Sequence, residues 1–553
     1  MHNLNELFQK KGRRDCPYSK GLLLMLLMLF LAFSALPVKG SSAVGKDDGY
    51  PYSAGSLQEV KKLYFSLRDA LEMAMERNLN IQIERYNTRI ADERVGESMG
   101  YFDYQSTLST SYQKSSSEPW DVFSAQDINT SDNYSLRGGI TKNLVTGGNF
   151  QVSYTEVRRS SNSPFTNYNP YHRPVLSLQF TQPLWKNFGV ENTKYNISIA
   201  QNNSEMSDKQ FRAQLMTILA EVQRLYWELV FRIQDLEVNR QSLKLAQDQL
   251  DMNRTKVEVG TMAPIEITQA EAAVASREEG IIVGESAIRD AQDQLKMAID
   301  PTIDLDSWEV EIIPTDKPPF ELQSFNLQEC IETAFQNRPD YDRQKIAISS
   351  KELSIRYTKN QMRPAVDLVA SFAANGLDGL YLIYEKGRSF EQEPKLLGVI
   401  EGGLGGAMKD VFSLDYRDWN IGFNISLPIQ NRAAESAHAR SKVELTQEEA
   451  RLKNLELSII LEVRQAVRAV ETNIKRVEAT RKARELAEKQ LEAEQKKFAV
   501  GTSTNFQVLR LQTDLATAMS NERRVIVDYN ISLFALKRVM GTLLKDSNIV
   551  VKD

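Results

Sequence analysis

The 553-residue chain contains one unit twice. Ser66–Asn87 (SLRDALEMAMERNLNIQIERYN) aligns with Asn326–Ala347 (NLQECIETAFQNRPDYDRQKIA) at an offset of 260 residues. Val259–Val274 (VGTMAPIEITQAEAAV) aligns with Val500–Leu515 (VGTSTNFQVLRLQTDL) at an offset of 241, which holds from about Glu221/Glu462 through Leu295/Leu536. Two offsets mean that the segments between the aligned blocks differ in length. A duplication constrains the fold strongly, because the packing of one half must be usable by the other. The first repeat covers about 58–300 and the second about 326–545. Between them, 301–325 carries Pro301, Pro314, Pro318 and Pro319 and reads as a linker. Residues 546–553 form a C-terminal tail.

Each repeat reads as helix, helix, strands, long helix, long helix. Leu215, Leu219, Val222, Tyr226, Leu229, Ile233, Leu236, Leu243, Leu250 and Val257 are spaced by threes, fours and sevens, a coiled-coil seam. The second copy repeats it at Ile460, Val463, Val467, Val470, Ile474, Val477, Leu491 and Phe498. No proline lies between Pro183 and Pro264, and none follows Pro428. Unbroken helix is therefore expected from about Asn203 to Glu258 and from about Ala433 to Ala499. Such helices are roughly 85–100 Å long at the α-helical rise. Long helices extend to about 300 in the first repeat and to about 540 in the second.

The N-terminus indicates where the chain goes. Lys10, Lys11, Arg13, Arg14 and Lys20 precede the apolar run Gly21–Leu36, a secretory signal pattern over residues 1–40. Its apolar core is slightly long and also suits an uncleaved anchor. Val38, Gly40 and Ser41 offer a cleavage point, and 41–57 is then an N-terminal linker. Cys16 precedes the core and leaves with it. Cys330 remains alone, so the exported chain has no internal disulfide to stabilise it.

Between the helices the pattern changes to a period of two. Trp419, Ile421, Phe423, Ile425 and Leu427 share one face, with Asn420, Gly422, Asn424 and Ser426 on the other. Leu176, Leu178 and Phe180 alternate with Ser177, Gln179 and Thr181; Tyr104–Tyr112 and Val366–Phe372 alternate likewise. A membrane strand and a half-buried soluble strand both give this alternation. The strand regions are about 104–185 and 365–428. Two strands per repeat make four per chain, too few to close a barrel, and open edges are not tolerated in hydrocarbon. Several chains are therefore expected to pool their strands. Trp185 and Trp419 fall at opposite strand ends, as membrane-interface anchors do. Leu136–Val145 and Phe150–Thr155 also alternate around Thr146-Gly147-Gly148-Asn149, either as an extracellular hairpin or as extra barrel strands. Asn375–Asp415, with EGGLGGAMKD at Glu401–Asp410, lacks a Gly-Lys-Ser/Thr phosphate loop and reads as a mobile surface loop.

Composition narrows the function. A net charge of -5 argues against nucleic acid as a partner. Three His and two Cys leave no metal-ligand spacing and no nucleophile–base pair, so neither an enzyme, a metal site nor a cofactor is expected. Two readings follow from the residues: a passive export duct, or a periplasmic structural coiled-coil scaffold without a membrane barrel.

The duplicated helix–strand–helix order, the strand exits QPLW (Gln182–Trp185) and LPIQN (Leu427–Asn431), and the paired VGT turns together resemble the TolC-type outer membrane efflux protein family. The likeness covers about 58–545. It implies an α+β membrane protein: a homotrimer whose twelve-stranded transmembrane β-barrel, set in outer-membrane lipid, continues into a long periplasmic α-helical, coiled-coil tunnel. It also implies a periplasmic adaptor and an inner-membrane transporter as partners, in a tripartite efflux or type I secretion system. By resemblance, Val259, Gly260 and Thr261, with Val500, Gly501 and Thr502, are periplasmic tips that contact the adaptor. The family's best-known members carry two aspartates a helical turn apart just after the second tip; those positions are Gln507 and Arg510 here. The arginine that latches the closed state is replaced by Ser503, and its acidic partner corresponds to Glu266.

Overall fold

A computed structural model describes residues 62–119, 127–163, 166–300, 308–385 and 395–546. The signal pattern, Cys16, the 41–57 linker and the tail from 547 lie outside the described residues.

The first repeat opens with β1 (Lys62–Phe65), α1 (Leu67–Arg77) and α2 (Leu79–Met99). Ser66 and Asp69 start α1 as a reciprocal capping box, and the Asn78 side chain accepts from the Ile81 N–H to start α2. Four strands follow: β2 (Tyr104–Ser117), β3 (Asn129–Asn143), β4 (Asn149–Ser161) and β5 (Tyr168–Pro183). Then come the helices α3 (Tyr195–Glu258) and α4 (Ile265–Ile299). The linker contributes β6 (Glu311–Pro314), which pairs in parallel with β1. The second repeat runs α5 (Leu327–Asn337), α6 (Pro339–Gln361), β7 (Ala365–Asn375), β8 (Asp378–Tyr384), β9 (Leu396–Ile400), α7 (Leu404–Ser413), β10 (Arg417–Ser426), α8 (Arg432–Ala499) and α9 (Asn505–Val539).

The proline-free stretches are single helices. α3 has 64 residues and α8 has 68, about 96 and 102 Å at 1.5 Å per residue. Each packs along its shorter neighbour, α3 on α4 and α8 on α9. The repeat is visible in the packing. Ala74 and Ala334, Val222 and Val463, Leu229 and Val470, and Leu295 and Leu536 are pairs at the two offsets, and all eight are fully buried. One seam position of α8 shifts: Ile459 is fully buried there, and Ile460 is half-buried. Cys330 is a free thiol buried in the second repeat's core beside Ala334 and Val463.

The strand count differs from the expected two per repeat. One eight-stranded sheet carries the path β10-β7-β5-β4-β3-β2, with β8 branching from β5 and β9 pairing with β8; four strands of the path come from the first repeat and two long strands from the second. β3 and β4 are the alternating segments at 136–145 and 150–155, grown to 15 and 13 residues. The alternation of β3 is interrupted at Gly138 and Lys142, which share the face of Leu136 and Ile140.

The segment Asn375–Asp415 is also not the expected loop. It holds β8, β9 and α7, and Ala407 and Val411 of α7 are buried. Asp378 organises its glycines. Its carboxylate accepts from the Gly403 N–H (3.0 Å) at the start of α7, and a Cβ on Gly406 would lie 1.8 Å from Asp378 Oδ2. The Glu401–Asp410 motif is thus a carboxylate-capped helix start.

The collar where linker, β1 and α1 meet α3 turns on one side chain. Tyr226 is fully buried and donates to Asp316 Oδ2 (2.8 Å) and the Phe65 carbonyl (3.1 Å), while Leu67 N–H donates to the same carboxylate oxygen (2.7 Å). Burial, then the Asp316 bond, pushes the Tyr226 hydroxyl well above the usual phenol range. Tyr226→Phe should destabilise the folded chain by about 1–2 kcal/mol, because the buried Phe65 carbonyl and the half-buried Asp316 carboxylate lose their shared donor. Leu229→Ala should cost about 2–5 kcal/mol as a core cavity. Thermal unfolding of the detergent-solubilised protein reads both. An unchanged midpoint for Tyr226→Phe would show that the hydroxyl bridges nothing.

Candidate functional site

The two hairpin ends have the same backbone. At the first, Val259 closes α3 and Gly260 takes φ +77°, the left-handed region that glycine enters without strain. Gly260 N–H donates to Val257 O (2.9 Å) and Thr261 N–H to Lys256 O (2.9 Å), the paired bonds of a Schellman cap. Thr261 Oγ1 donates to the same Lys256 carbonyl (2.9 Å). At the second, Gly501 has φ +81°, with bonds from Gly501 N–H to Phe498 O (3.2 Å) and from Thr502 N–H to Lys497 O (2.9 Å). Thr502 Oγ1 again reaches Lys497 O (3.1 Å). Nothing lies within 4 Å of a Cβ built on either glycine, so both tips are open. Val259 and Val500 are 67% and 75% exposed, an apolar pair presented to the outside. The same cap ends α9 at Met540-Gly541-Thr542, with Gly541 at φ +74°, but there Met540 is buried.

The candidate gate residues sit just beyond these turns and do not meet one another. Ser503 Oγ donates to Glu494 Oε1 (2.5 Å), within its own hairpin. That bond, with Lys497, holds the Glu494 carboxyl below the usual carboxylate range. Glu266 lies in the first turn of α4; its Oε2 is buried without a hydrogen-bond partner. Gln507 N–H reaches the capping Thr504 Oγ1 (3.4 Å) at the start of α9. Arg510 is exposed, with Asp514 one turn on at 4.0 Å.

A set of polar contacts that the apolar periodicity did not reveal ties the hairpins together near their tips. Gln249 Nε2 donates to Asn253 Oδ1 (2.9 Å) and, across the hairpins, to Asn505 Oδ1 (3.2 Å). Asn253 and Asn505 both donate to the Glu266 carbonyl (3.4 Å each). Gln512 Nε2 reaches Leu245 O (3.3 Å), and Lys256 Nζ reaches Phe498 O (3.2 Å) while lying over that ring. Higher up, Arg277 of α4 donates to Ser242 of α3 (3.0 Å) and Thr513 of α9 (3.1 Å). Burial lowers the Arg277 pKa. These residues occupy seam positions, where a buried amide holds register at some cost in stability.

At the other end, the sheet separates two chemistries. Trp419, Ile421, Phe423 and Ile425 stand 64–73% exposed on one face of β10, paired with Phe372, Ala370, Leu368 and Val366 of β7. Trp419 lies level with Phe372 and Leu178. Trp185 lies past the other end of β5, its carbonyl accepting from Asn360 Nδ2 (3.3 Å). The run from Leu178 to Trp185 spans about 23 Å of extended chain, close to the roughly 25 Å apolar band of a membrane barrel.

The sequence profile described as "Outer membrane efflux protein" matches residues 143–299 and 330–542, one block in each repeat. The outer membrane protein TolC of Vibrio cholerae serotype O1 is 22% identical over 386 residues, covering 68% of this chain and 78% of that protein. The CmeC outer membrane channel of Campylobacter jejuni superposes with a TM-score of 0.61 at 13% identity, covering 91% of this chain and 94% of that one. The outer membrane protein VceC of Vibrio cholerae gives 0.59 at 14% identity, covering 86% and 96%. The chain belongs to the outer membrane efflux protein family, and its place is the outer membrane, with a large portion in the periplasm.

Proposed function

We propose that the chain is one third of a passive export duct: three copies join their sheets into a transmembrane barrel, and their long helices form a periplasmic tunnel beneath it. The observation that carries this reading is the one-sided sheet with two free ends. Its apolar face suits lipid, and β2 and β10 end the six-strand path with one side of each unpaired among the described residues. Trp185 and Trp419 anchor that barrel at its two interfaces. Substrate enters at the helical tips from an inner-membrane transporter, through a periplasmic adaptor that grips Val259-Gly260-Thr261 and Val500-Gly501-Thr502. The energy for transport comes from those partners in a tripartite efflux or type I secretion system.

Fractionation tests the duct against the scaffold reading. A duct stays with the outer membrane until detergent is added and runs as a heat-sensitive trimer in SDS; a scaffold washes off with salt or alkali. At the tips, Gly260→Trp combined with Gly501→Trp should abolish export while leaving trimers in the membrane. The left-handed backbone costs a substituted residue about 1–2 kcal/mol, which is small beside the core. Normal export by that variant would remove the tips from the adaptor contact.

The entrance differs from the family pattern in charge. With Arg510 in place of a carboxylate, three copies put positive charge near the tunnel mouth, and the channel should resist block by multivalent cations. Arg510→Asp should create such block, read as loss of single-channel current at micromolar hexamminecobalt. Strong block of the unmodified channel would refute this account of the entrance.

A further inference from the structure

We propose that the barrel has eighteen strands, half again as many as the family resemblance implies, with the β3–β4 hairpin forming part of its wall. This rests on the trimeric duct reading for the number of copies, and on the sheet itself for the number of strands per copy.

The hairpin does not stand aside from the wall. β2 pairs with β3 from Tyr104↔Lys142 to Ser117↔Asn129, and β4 pairs with β5 from Asn149↔Thr181 to Arg159↔Tyr171. β2 and β5 are therefore not neighbours; two full strands separate them. The faces continue across all six strands. Gln105, Thr141, Gln151, Gln179, Ser371 and Asn420 form one polar rung. The next rung along the strands, on the opposite face, carries Ile140, Val152, Leu178, Phe372 and Trp419, with Ser106 at the β2 end. Hairpin residues thus share the level of Trp419 and obey the same division between lipid and lumen.

The β3–β4 turn also sits at the helical end of the sheet, which excludes an extracellular hairpin. Gly189 N–H donates to Thr146 O (3.2 Å), and Thr146 Oγ1 donates to Gln182 Oε1 (2.7 Å). A Cβ on Gly147, at φ +93°, would lie 2.4 Å from the Asn187 carbonyl oxygen. The turn is wedged against the strand exit that leads into α3.

The consequence is a change of width along the duct. β2, β5, β7 and β10 each join a helix at this end, but the β3–β4 turn has none beneath it. Three copies place eighteen strands above twelve helices. Barrel diameter grows roughly in proportion to strand number, so the exit is about 1.5 times as wide as a twelve-stranded one, in the range of open aqueous porins. The helical tunnel, not the barrel, then sets the size of what passes.

Cysteine pairs test this in a Cys330→Ala background, in the assembled protein in membranes. Ser111 and Ser135 have their hydroxyls 2.7 Å apart between β2 and β3, as do Ser153 and Ser177 between β4 and β5. Ser111→Cys with Ser135→Cys, and Ser153→Cys with Ser177→Cys, should each oxidise within one chain, with export retained. Thr107→Cys with Ser177→Cys, which share a rung with two strands between them, should not. Across the seam, Ser109→Cys scanned against Asp418→Cys, Asn420→Cys, Gly422→Cys and Asn424→Cys should give a covalent ladder ending at three chains. A Thr107–Ser177 crosslink, or none at Ser153–Ser177, overturns the six-stranded wall while leaving the trimer intact. A ladder ending elsewhere than three overturns the copy number, and with it the count of eighteen, while leaving the six strands per chain.

Discussion

A peptide group in hydrocarbon has no water to bond with, and on the proposed duct reading that constraint governs this chain. Its sheet is apolar on one face and polar on the other, the division that a wall between lipid and a wet interior requires. The six-strand path ends in β2 and β10, each with a partner on one side only among the described residues. In the proposed trimer, pairing those ends between copies satisfies both edges at once. The single thiol of the described residues, Cys330, is buried in the core of the second repeat.

The two repeats have kept what the helices require and changed what the sheet allows. Positions such as Val222 and Val463 or Leu295 and Leu536 sit between packed helices, where loss of a methyl group leaves a void; each pair is buried alike in both copies. A sheet accepts a new hairpin more easily. β3 and β4 enter between β2 and β5 with the same alternation of faces, so neighbouring strands need not change. The second repeat instead grew outward, through β8, β9 and α7, with Tyr154 Oη 3.3 Å from Met408 Sδ where α7 meets β4.

Much of this was legible in the residues. The duplication, the proline-free helices and the two VGT turns each follow from a local rule: a repeated spacing, a missing helix breaker, a glycine where the backbone must turn left-handed. The strand number was less so. Alternation weakens where Gly138 and Gly139 stand side by side and where Lys142 lies on the apolar face, its ammonium 4.1 Å from the centre of the Tyr104 ring. α7 was hidden because its stabilising partner, Asp378, is distant in sequence and its glycines look like a loop. The polar ties between the hairpins, Gln249 to Asn505 and Arg277 to Thr513, join residues more than two hundred positions apart. No periodicity encodes such pairs; only the folded register brings them together.

The third Gly-Thr cap, at the end of α9, bears on how the tips are recognised. Three helices stop by the same arrangement of N–H groups, carbonyls and a threonine hydroxyl, yet only two of those stops face outward. The glycine and threonine are thus a general means of ending a helix and carry no address. The residue before them differs: Val259 and Val500 project into solvent, while Met540 is covered. On the proposed reading of the tips as the duct entrance, those two isopropyl groups distinguish it from an ordinary helix end.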